Sequence, residues 1–234
     1  MFKTKKEILF TILTGFFVTN AVFGELVGGK LIQIGPYALS IGIIPWPIVF
    51  LSTDIINEYF GKSGVRKLTM MTAALILYIY VLLIFGIKVP AAENSPVTDV
   101  MFNGVFAQSQ WIIIGSTVAF ISSQLVDMLT FWLIRKKTGN RLVWLRATGS
   151  TAVSQIIDSF IVTGIAFYLP GVLPFKEYVE VAILGYLSKL IISLIISPLI
   201  IVLHKVIDKY LGEEESKRIV EETAMECLKP SDLK

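Results

Sequence analysis

The sequence predicts an all-α membrane protein with six transmembrane helices, a second span broken by prolines, and both termini in the cytoplasm. Its composition is that of a membrane protein, because 54% of the residues are hydrophobic, the mean hydropathy is +0.72 and only 17% are charged, against roughly 25% charged residues in soluble domains. Apolar runs long enough to cross a hydrocarbon core of about 30 Å recur along the chain. Basic residues concentrate in alternate loops between these runs.

Six apolar runs have about the 20 residues that a transmembrane helix needs. The predicted spans are residues 7–28, 36–58, 68–87, 111–134, 148–169 and 179–204. They predict a transmembrane domain over residues 1–208 and a cytosolic charged tail over residues 209–234, which we expect to be solvated. The first run lacks a small-residue cleavage site, so we interpret it as a span rather than a removable signal.

The distribution of lysine and arginine predicts the orientation in the membrane. With the N-terminus inside, eleven basic residues fall on the inner side and three on the outer side, a bias that places both termini in the cytoplasm. The inner residues are Lys3, Lys5, Lys6, Lys62, Arg66, Lys67, Arg135, Lys136, Lys137, Arg141 and Arg146, and the outer ones are Lys30, Lys88 and Lys176.

Two segments outside this regular pattern are distinctive. The apolar run over residues 31–59 would be about 43 Å long as a straight helix. Because Pro36, Pro45 and Pro47 remove backbone donors, we expect a short re-entrant or interfacial piece near residues 31–40 and a kinked helix after it; a tilted helix with a tolerated kink is the alternative. The outer segment 88–110 has an apolar stripe and is predicted to lie on the membrane surface as a lid.

The fourth and fifth spans carry the same polar motif, Ser-Gln-x-x-Asp. Its residues are Ser123, Gln124 and Asp127 in the fourth span and Ser154, Gln155 and Asp158 in the fifth. A carboxylate at the centre of a membrane helix costs roughly 2.5–3.5 kcal/mol on insertion scales and usually marks a functional site. Because the two spans are antiparallel, we expect Gln124 near the level of Asp158 and Asp127 near the level of Gln155. A packing network without a ligand is the alternative.

Further polar residues lie within the predicted spans. Lys189 falls near the middle of the sixth span, too deep to reach the interface, and we expect it to pair with Asp158. The predicted substrate-binding residues are Asn20, Ser123, Gln124, Asp127, Gln155, Asp158 and Lys189. The residues predicted for gating or coupling are Glu25, Asp54, Asn57, Glu58 and Arg146. For those at the inner end of the second span, solvation or pairing with Arg66 or Arg146 is the alternative.

Several function classes fit the residues poorly. Two membrane aspartates are typical of intramembrane aspartyl proteases, but Val126 and Ile157 precede them here, where that class has other residues. Gly61–Ser63 imitates the end of a phosphate-binding loop, yet Ile56 stands where its first glycine should be. His204 is the single histidine and has no cysteine nearby, so no metal site is predicted. We predict a protein that is not an enzyme and needs no cofactor.

Four segments of the chain match a known family. They are Asp54–Gly61, the polar motif of the fourth span, Trp144–Arg146, and Ser150–Ser159 with Ala166 and Phe167. In these segments the chain resembles the queuosine precursor transporter family, formerly grouped as a vitamin uptake family. The resemblance covers spans two to six. It implies a six-span protein of the bacterial inner membrane that imports 7-cyano- or 7-aminomethyl-7-deazaguanine, or queuine, for insertion into transfer RNA.

The resemblance also implies partners. They are a small 7-deazaguanine base and the lipid bilayer, with no nucleic acid, and a homo-oligomer is left open. Such a base has a ring N–H and an amine side by side, which a carboxylate can accept, and a carbonyl oxygen to which an amide or lysine can donate. The alternative is the substrate-binding subunit of an energy-coupling-factor importer. Because Gly15–Thr19 is only a loose version of the small-residue face typical of such subunits, we predict a stand-alone transporter.

Overall fold

The computed structural model describes residues 4–34, 37–107, 110–138 and 142–226. Lys3, Pro36, Arg141 and residues 227–234, named above, lie outside them. The elements are α1 (Lys5–Val27), β1 (Leu31–Ile34), β2 (Tyr37–Ser40), α2 (Pro45–Lys88), α3 (Asp99–Phe106), α4 (Gln110–Thr138), α5 (Val143–Thr163), α6 (Phe175–Ile196), α7 (Pro198–Leu211) and α8 (Glu213–Glu226). Among the described residues, five helical stretches are long and apolar enough to cross a membrane, which confirms the predicted all-α membrane fold.

α2 consists of two antiparallel helices joined at Gly61. Gly61 has φ 68° and ψ −173°, a conformation that is essentially restricted to glycine. Residues on both sides of it reach the C-terminal end of α1: Trp46 packs against Gly24, and the Tyr80 hydroxyl donates a 2.9 Å hydrogen bond to Glu25. The chain therefore reverses at Gly61, between the predicted second and third spans. The total of six spans is compatible with this reversal and stays a prediction.

We expect Gly61→Ala to destabilise the protein. A Cβ at this backbone conformation costs about 1–3 kcal/mol, which lowers the melting temperature of a chain of this size by about 5 °C. Thermal melting of the purified protein in detergent measures the change. Gly15→Ala is the matched control, because Gly15 is helical and a Cβ there meets nothing within 4 Å. Equal melting temperatures for the two variants would contradict the assignment of the turn.

The irregular piece predicted near residues 31–40 is an antiparallel hairpin of β1 and β2. The Ser40 hydroxyl fixes its exit, since it donates to the Gly28 carbonyl at 2.6 Å and accepts from the Gly42 N–H at 3.1 Å. Pro45 and Pro47 differ from the expectation, because they begin the following helix instead of kinking it. The N–H groups of a first helical turn have no intrahelical acceptor, so proline is tolerated there.

The predicted sixth span, residues 179–204, is divided into α6 and α7. Pro198 cannot donate to the Leu194 carbonyl, and the Ser197 hydroxyl donates to that carbonyl at 2.9 Å instead. Lys189 lies seven residues before the end of α6 at Ile196, and its position near the middle of the span stays a prediction.

The charged tail is not solvated on all sides as expected, because α8 packs along α2. Ile219 is buried, and the Thr223 hydroxyl donates to the Tyr59 carbonyl at 3.4 Å. Arg135 of α4 donates to the Val220 carbonyl at 2.9 Å. These contacts fix α8 across the Gly61 turn of α2 and the end of α4.

The helices α1 and α7 meet at one end of the bundle. Lys5 Nζ donates to the Tyr210 carbonyl at 2.9 Å, and Lys6 Nζ lies 5.9 Å from the centre of the Phe60 ring. This common end fits the predicted topology, in which both termini lie on one side. Which compartment it faces stays a prediction.

A short helix, α3, forms over the apolar stripe predicted in segment 88–110. Val100 is 83% exposed, and Met101 and Val105 are exposed beside it. Phe102 packs against Gly86 of α2 and attaches the helix to the bundle. The position of α3 on the membrane surface stays a prediction.

Candidate functional site

The two Ser-Gln-x-x-Asp motifs face each other where α4 packs against α5. The Ser154 hydroxyl donates to Asp127 Oδ1 at 3.0 Å, and the Ser123 hydroxyl donates to Asp158 Oδ1 at 3.3 Å. The serine of each motif thus bonds the aspartate of the other, as antiparallel helices allow. The expected pairs of glutamine and aspartate are replaced by pairs of serine and aspartate, one residue out of the predicted register.

α2 brings two more polar groups to this contact. The Thr53 hydroxyl donates to Gln124 Oε1 at 2.8 Å, and the Ser150 hydroxyl donates to Asp54 Oδ1 at 3.3 Å. Asp54 and Asp127 accept from two serines that stand one turn apart on α5, Ser150 and Ser154. The site therefore lies at the junction of α2, α4 and α5. Sequence reasoning did not assign Thr53 or Ser150 to the site, although Ser150 and Ser154 stand four residues apart on one face of an apolar helix.

Three polar atoms of the motifs have no hydrogen-bond partner within the described part of the chain. They are Gln124 Nε2, Asp127 Oδ2 and Gln155 Oε1. Gln124 and Asp127 are 0% exposed and Gln155 is buried, so solvent does not satisfy these atoms. An unsatisfied buried polar group costs roughly 1–3 kcal/mol. One N–H donor and two oxygen acceptors are thus left without hydrogen-bond partners. Such atoms indicate a binding site for a polar ligand that would form these hydrogen bonds.

Aromatic rings pack one helical turn away from Gln124. Phe120 is buried, its ring centre lies 5.8 Å from that of Trp46 and 6.2 Å from that of Phe17, and it stands four residues before Gln124 on the same face of α4. Phe16, the residue before Phe17 in α1, is mostly exposed. The Phe17, Trp46 and Phe120 rings form an apolar wall beside the polar cluster.

A second polar cluster adjoins the motif through Asp158. Lys189 Nζ donates to Asp158 Oδ2 at 2.5 Å, which confirms the predicted pair. Glu25 accepts the Tyr80 hydroxyl and interacts electrostatically with Asp158 and Lys189. The Asn20 amide donates to the carbonyl of Phe16 in its own helix at 2.9 Å, and its part in substrate binding stays a prediction.

A third polar cluster lies at the end of the site where α8 docks. Glu58 Oε2 accepts from Arg146 at 2.7 Å, and its Oε1 lies 3.4 Å from Arg135 Nη2. All three side chains are buried. The alternative that Glu58 pairs with Arg146 is confirmed, whereas the part played by Arg135 was not predicted. Asn57 is buried beside Glu58, and neither polar atom of its side chain has a partner among the described residues.

Comparison with known proteins places the chain in a family. Residues 40–203 match the model of a family described as "Putative vitamin uptake transporter". A Bacillus subtilis protein named "Probable queuosine precursor transporter" is 31% identical over 170 residues, which cover 72% of this chain and 73% of that protein. A Haemophilus influenzae protein of the same name is 28% identical over 160 residues, 66% of this chain and 63% of that protein. No solved structure is similar to the chain.

The family match spans most of the chain and contains the polar site except for Glu25. It begins just before α2 and ends within α7, so it includes both motifs, Lys189 and the Glu58 cluster. A membrane bundle with buried carboxylates and amides at its centre is the arrangement expected of a transporter. The chain belongs to the vitamin uptake transporter family and is a membrane transporter, not an enzyme.

Proposed function

We propose that this transporter imports 7-deazaguanine precursors of queuosine across the bacterial inner membrane, and that Gln124, Asp127 and Gln155 hold the base. The names of the two bacterial relatives support the substrate class. The observation that carries the proposal is the cluster of one N–H donor and two oxygen acceptors that have no partner within the described residues.

The cluster complements the pairing edge of the base. A 7-deazaguanine presents a ring N–H and an amino group next to a carbonyl oxygen. Asp127 Oδ2 and Gln155 Oε1 would accept from the two donors, and Gln124 Nε2 would donate to the carbonyl, so every unpartnered atom gains a hydrogen bond. Proteins commonly hold such rings by their pairing edge with aromatic side chains against their faces, and Phe120 with Trp46 forms an aromatic wall one helical turn from Gln124.

The site is closed to solvent in this conformation, because Gln124 and Asp127 are fully buried. Two hydrogen bonds keep their side chains in place, from Thr53 to Gln124 and from Ser154 to Asp127. Each bond uses one polar atom of the side chain and leaves the other atom for a ligand. The hydroxyls therefore orient the amide and the carboxylate, and entry of a base requires α2, α4 and α5 to separate.

Uptake into vesicles that contain only this purified protein tests the proposal. We expect saturable uptake of labelled 7-cyano-7-deazaguanine, 7-aminomethyl-7-deazaguanine or queuine, and no uptake of adenine, whose pairing edge has a different order of donors and acceptors. Uptake that requires added partner ATPases would assign the protein to the energy-coupling-factor class. Failure of the purified protein to bind any of the three bases would overturn the substrate assignment.

A further inference from the structure

A small cavity lies between α2, α5 and the junction of α6 and α7. Its volume is about 20 Å³, which is room for roughly one water-sized particle. The polar side chains that line it are Asp54, Thr148, Thr151, Ser193 and Ser197. This cavity is distinct from the proposed base-binding site, because it is lined by none of the residues proposed to hold the base.

Asp54 is the charged residue of the cavity and has no basic partner within 4.0 Å among the described residues. Its hydrogen bond comes from the Ser150 hydroxyl. The charged groups around it are Asp127 on α4, Arg146 on α5 and, on its own helix, Glu58; Arg146 is already paired with Glu58. The Asp54 carboxylate is therefore buried without an ion-pair partner among the described residues. A buried carboxylate without an ion-pair partner is stabilised by binding a proton or a cation.

The opposite wall of the cavity is the broken end of α6. Ser193 is buried, and its hydroxyl oxygen has no partner among the described residues. Ile196 and Ser197, where α6 ends, both line the cavity and stand at the negative end of the helix dipole, although the Leu194 and Ser197 carbonyls accept from the Ser197 hydroxyl and the Ile200 N–H. Helices interrupted at membrane depth supply oxygen ligands to coupling ions in many transporters.

We propose that this cavity binds one sodium ion, with the Asp54 carboxylate as its charged ligand and the Ser193 and Thr151 hydroxyls as neutral ligands. Oxygen atoms are the ligands that hard cations prefer. A single carboxylate faces the cavity, which matches a single positive charge, and the space is that of a small ion.

We infer in addition that sodium binding favours binding of the base; this step rests on the proposed function, whereas the ion site does not. Asp54 and Asp127 accept from Ser150 and Ser154, which stand one helical turn apart on α5, so a cation at Asp54 offsets the repulsion between the two carboxylates and favours an ionised Asp127, the form that accepts from the base. Coupling of this kind is reciprocal, and the base must raise the affinity for sodium by the same factor.

Thermal melting of the purified protein without base tests the ion site. Replacing choline chloride by sodium chloride at constant ionic strength should raise the melting temperature, by about 5 °C near saturation. Ser193→Ala and Asp54→Asn should each lose most of this rise. Ser188→Ala is the matched control, since the Ser188 hydroxyl bonds the Leu184 carbonyl of its own helix and does not line the cavity; it should keep the full rise. A melting temperature that is indifferent to sodium would overturn the site.

Uptake of the base into vesicles tests the coupling. An inward sodium gradient should raise the initial rate at least tenfold over a choline gradient, and Ser193→Ala should remove most of that gain. Uptake that ignores sodium and follows a pH gradient would show that Asp54 carries a proton, and the sodium proposal would be wrong while the proposed substrate stands. Sodium stabilisation in a protein that transports none of the bases would leave the ion site standing and refute the proposed function.

Discussion

Asp127→Asn is expected to abolish uptake of the base while the protein remains folded. The Ser154 hydroxyl can still donate to the amide oxygen of asparagine, so the side chain keeps its orientation. Its second polar atom then becomes an NH₂ group, which meets a donor of the base instead of accepting from it. Loss of a hydrogen bond to a charged group costs about 1.5–3 kcal/mol, and the contact of two donors adds to this cost. We therefore expect at least about a 100-fold lower rate at limiting substrate.

The measurement is the initial rate of uptake in vesicles, normalised to the amount of folded protein. Asp99→Asn is the matched control, because Asp99 lies on the exposed helix α3 and its Oδ1 accepts from the Ala91 N–H, a bond that the asparagine oxygen preserves. This control should transport at the rate of the parent. An Asp127→Asn variant that also transports normally would show that the base is held elsewhere.

A fall in melting temperature would separate a structural role of Asp127 from a binding role. Asp127 accepts the Ser154 hydroxyl, which donates equally well to a neutral amide oxygen. We therefore expect the variant to be at least as stable as the parent, because burial of a charge is removed while the hydrogen bond remains. Lost uptake with unchanged stability is the combination that assigns the residue to the substrate.

The arrangement of the helices was largely predictable, because it follows from the length of the apolar runs and from the proline and glycine residues that interrupt or end them. The repeated motif also pointed to the contact of α4 with α5, since a carboxylate in an apolar helix must find a partner. The register of that contact was one residue out. One residue changes the axial position by about 1.5 Å and the direction of the side chain by about 100°, and this direction depends on how the helices tilt and rotate against each other.

Partners that come from a third helix were harder to predict. Thr53 and Ser150 bond the site residues Gln124 and Asp54, but a hydroxyl in a membrane helix equally often bonds a carbonyl of its own helix. Arg135 was assigned to an inner loop on charge alone, whereas the last turn of α4 extends past the predicted end of the span and buries its guanidinium against Glu58. Sequence gives no length for that extension.

The docking of α8 was missed although its sequence carries a signal. Ser216, Ile219, Val220 and Thr223 follow helical spacing and form one face. In the structure, Ser216, Ile219 and Thr223 of this face are buried. The high charge of the segment favoured a solvated helix. The charged residues of such a helix lie on its outer face, and four residues on its inner face are enough to dock it on the helix bundle.

Lys189→Met is expected to lower both stability and affinity for the base. Lys189 and Asp158 have side chains only 16% and 15% exposed, and removal of one partner of a buried ion pair typically costs about 3–5 kcal/mol because the other charge is left uncompensated. We expect a melting temperature about 10 °C lower in detergent. Lys176→Met on the same helix is the matched control, because Lys176 is exposed and its loss should change little.

A second change, Asp158→Asn, should restore part of the stability of the Lys189→Met variant, because it removes the uncompensated charge. It should not restore uptake, since Asp158 also accepts the Ser123 hydroxyl and joins the Glu25 cluster to the binding motif. Recovery of stability without recovery of uptake therefore identifies a pair that orients the site. If Lys189→Met is as stable as the parent and the double variant no better, the two residues are not energetically coupled, and Lys189 must act on Glu25 or on the carbonyl of the base instead.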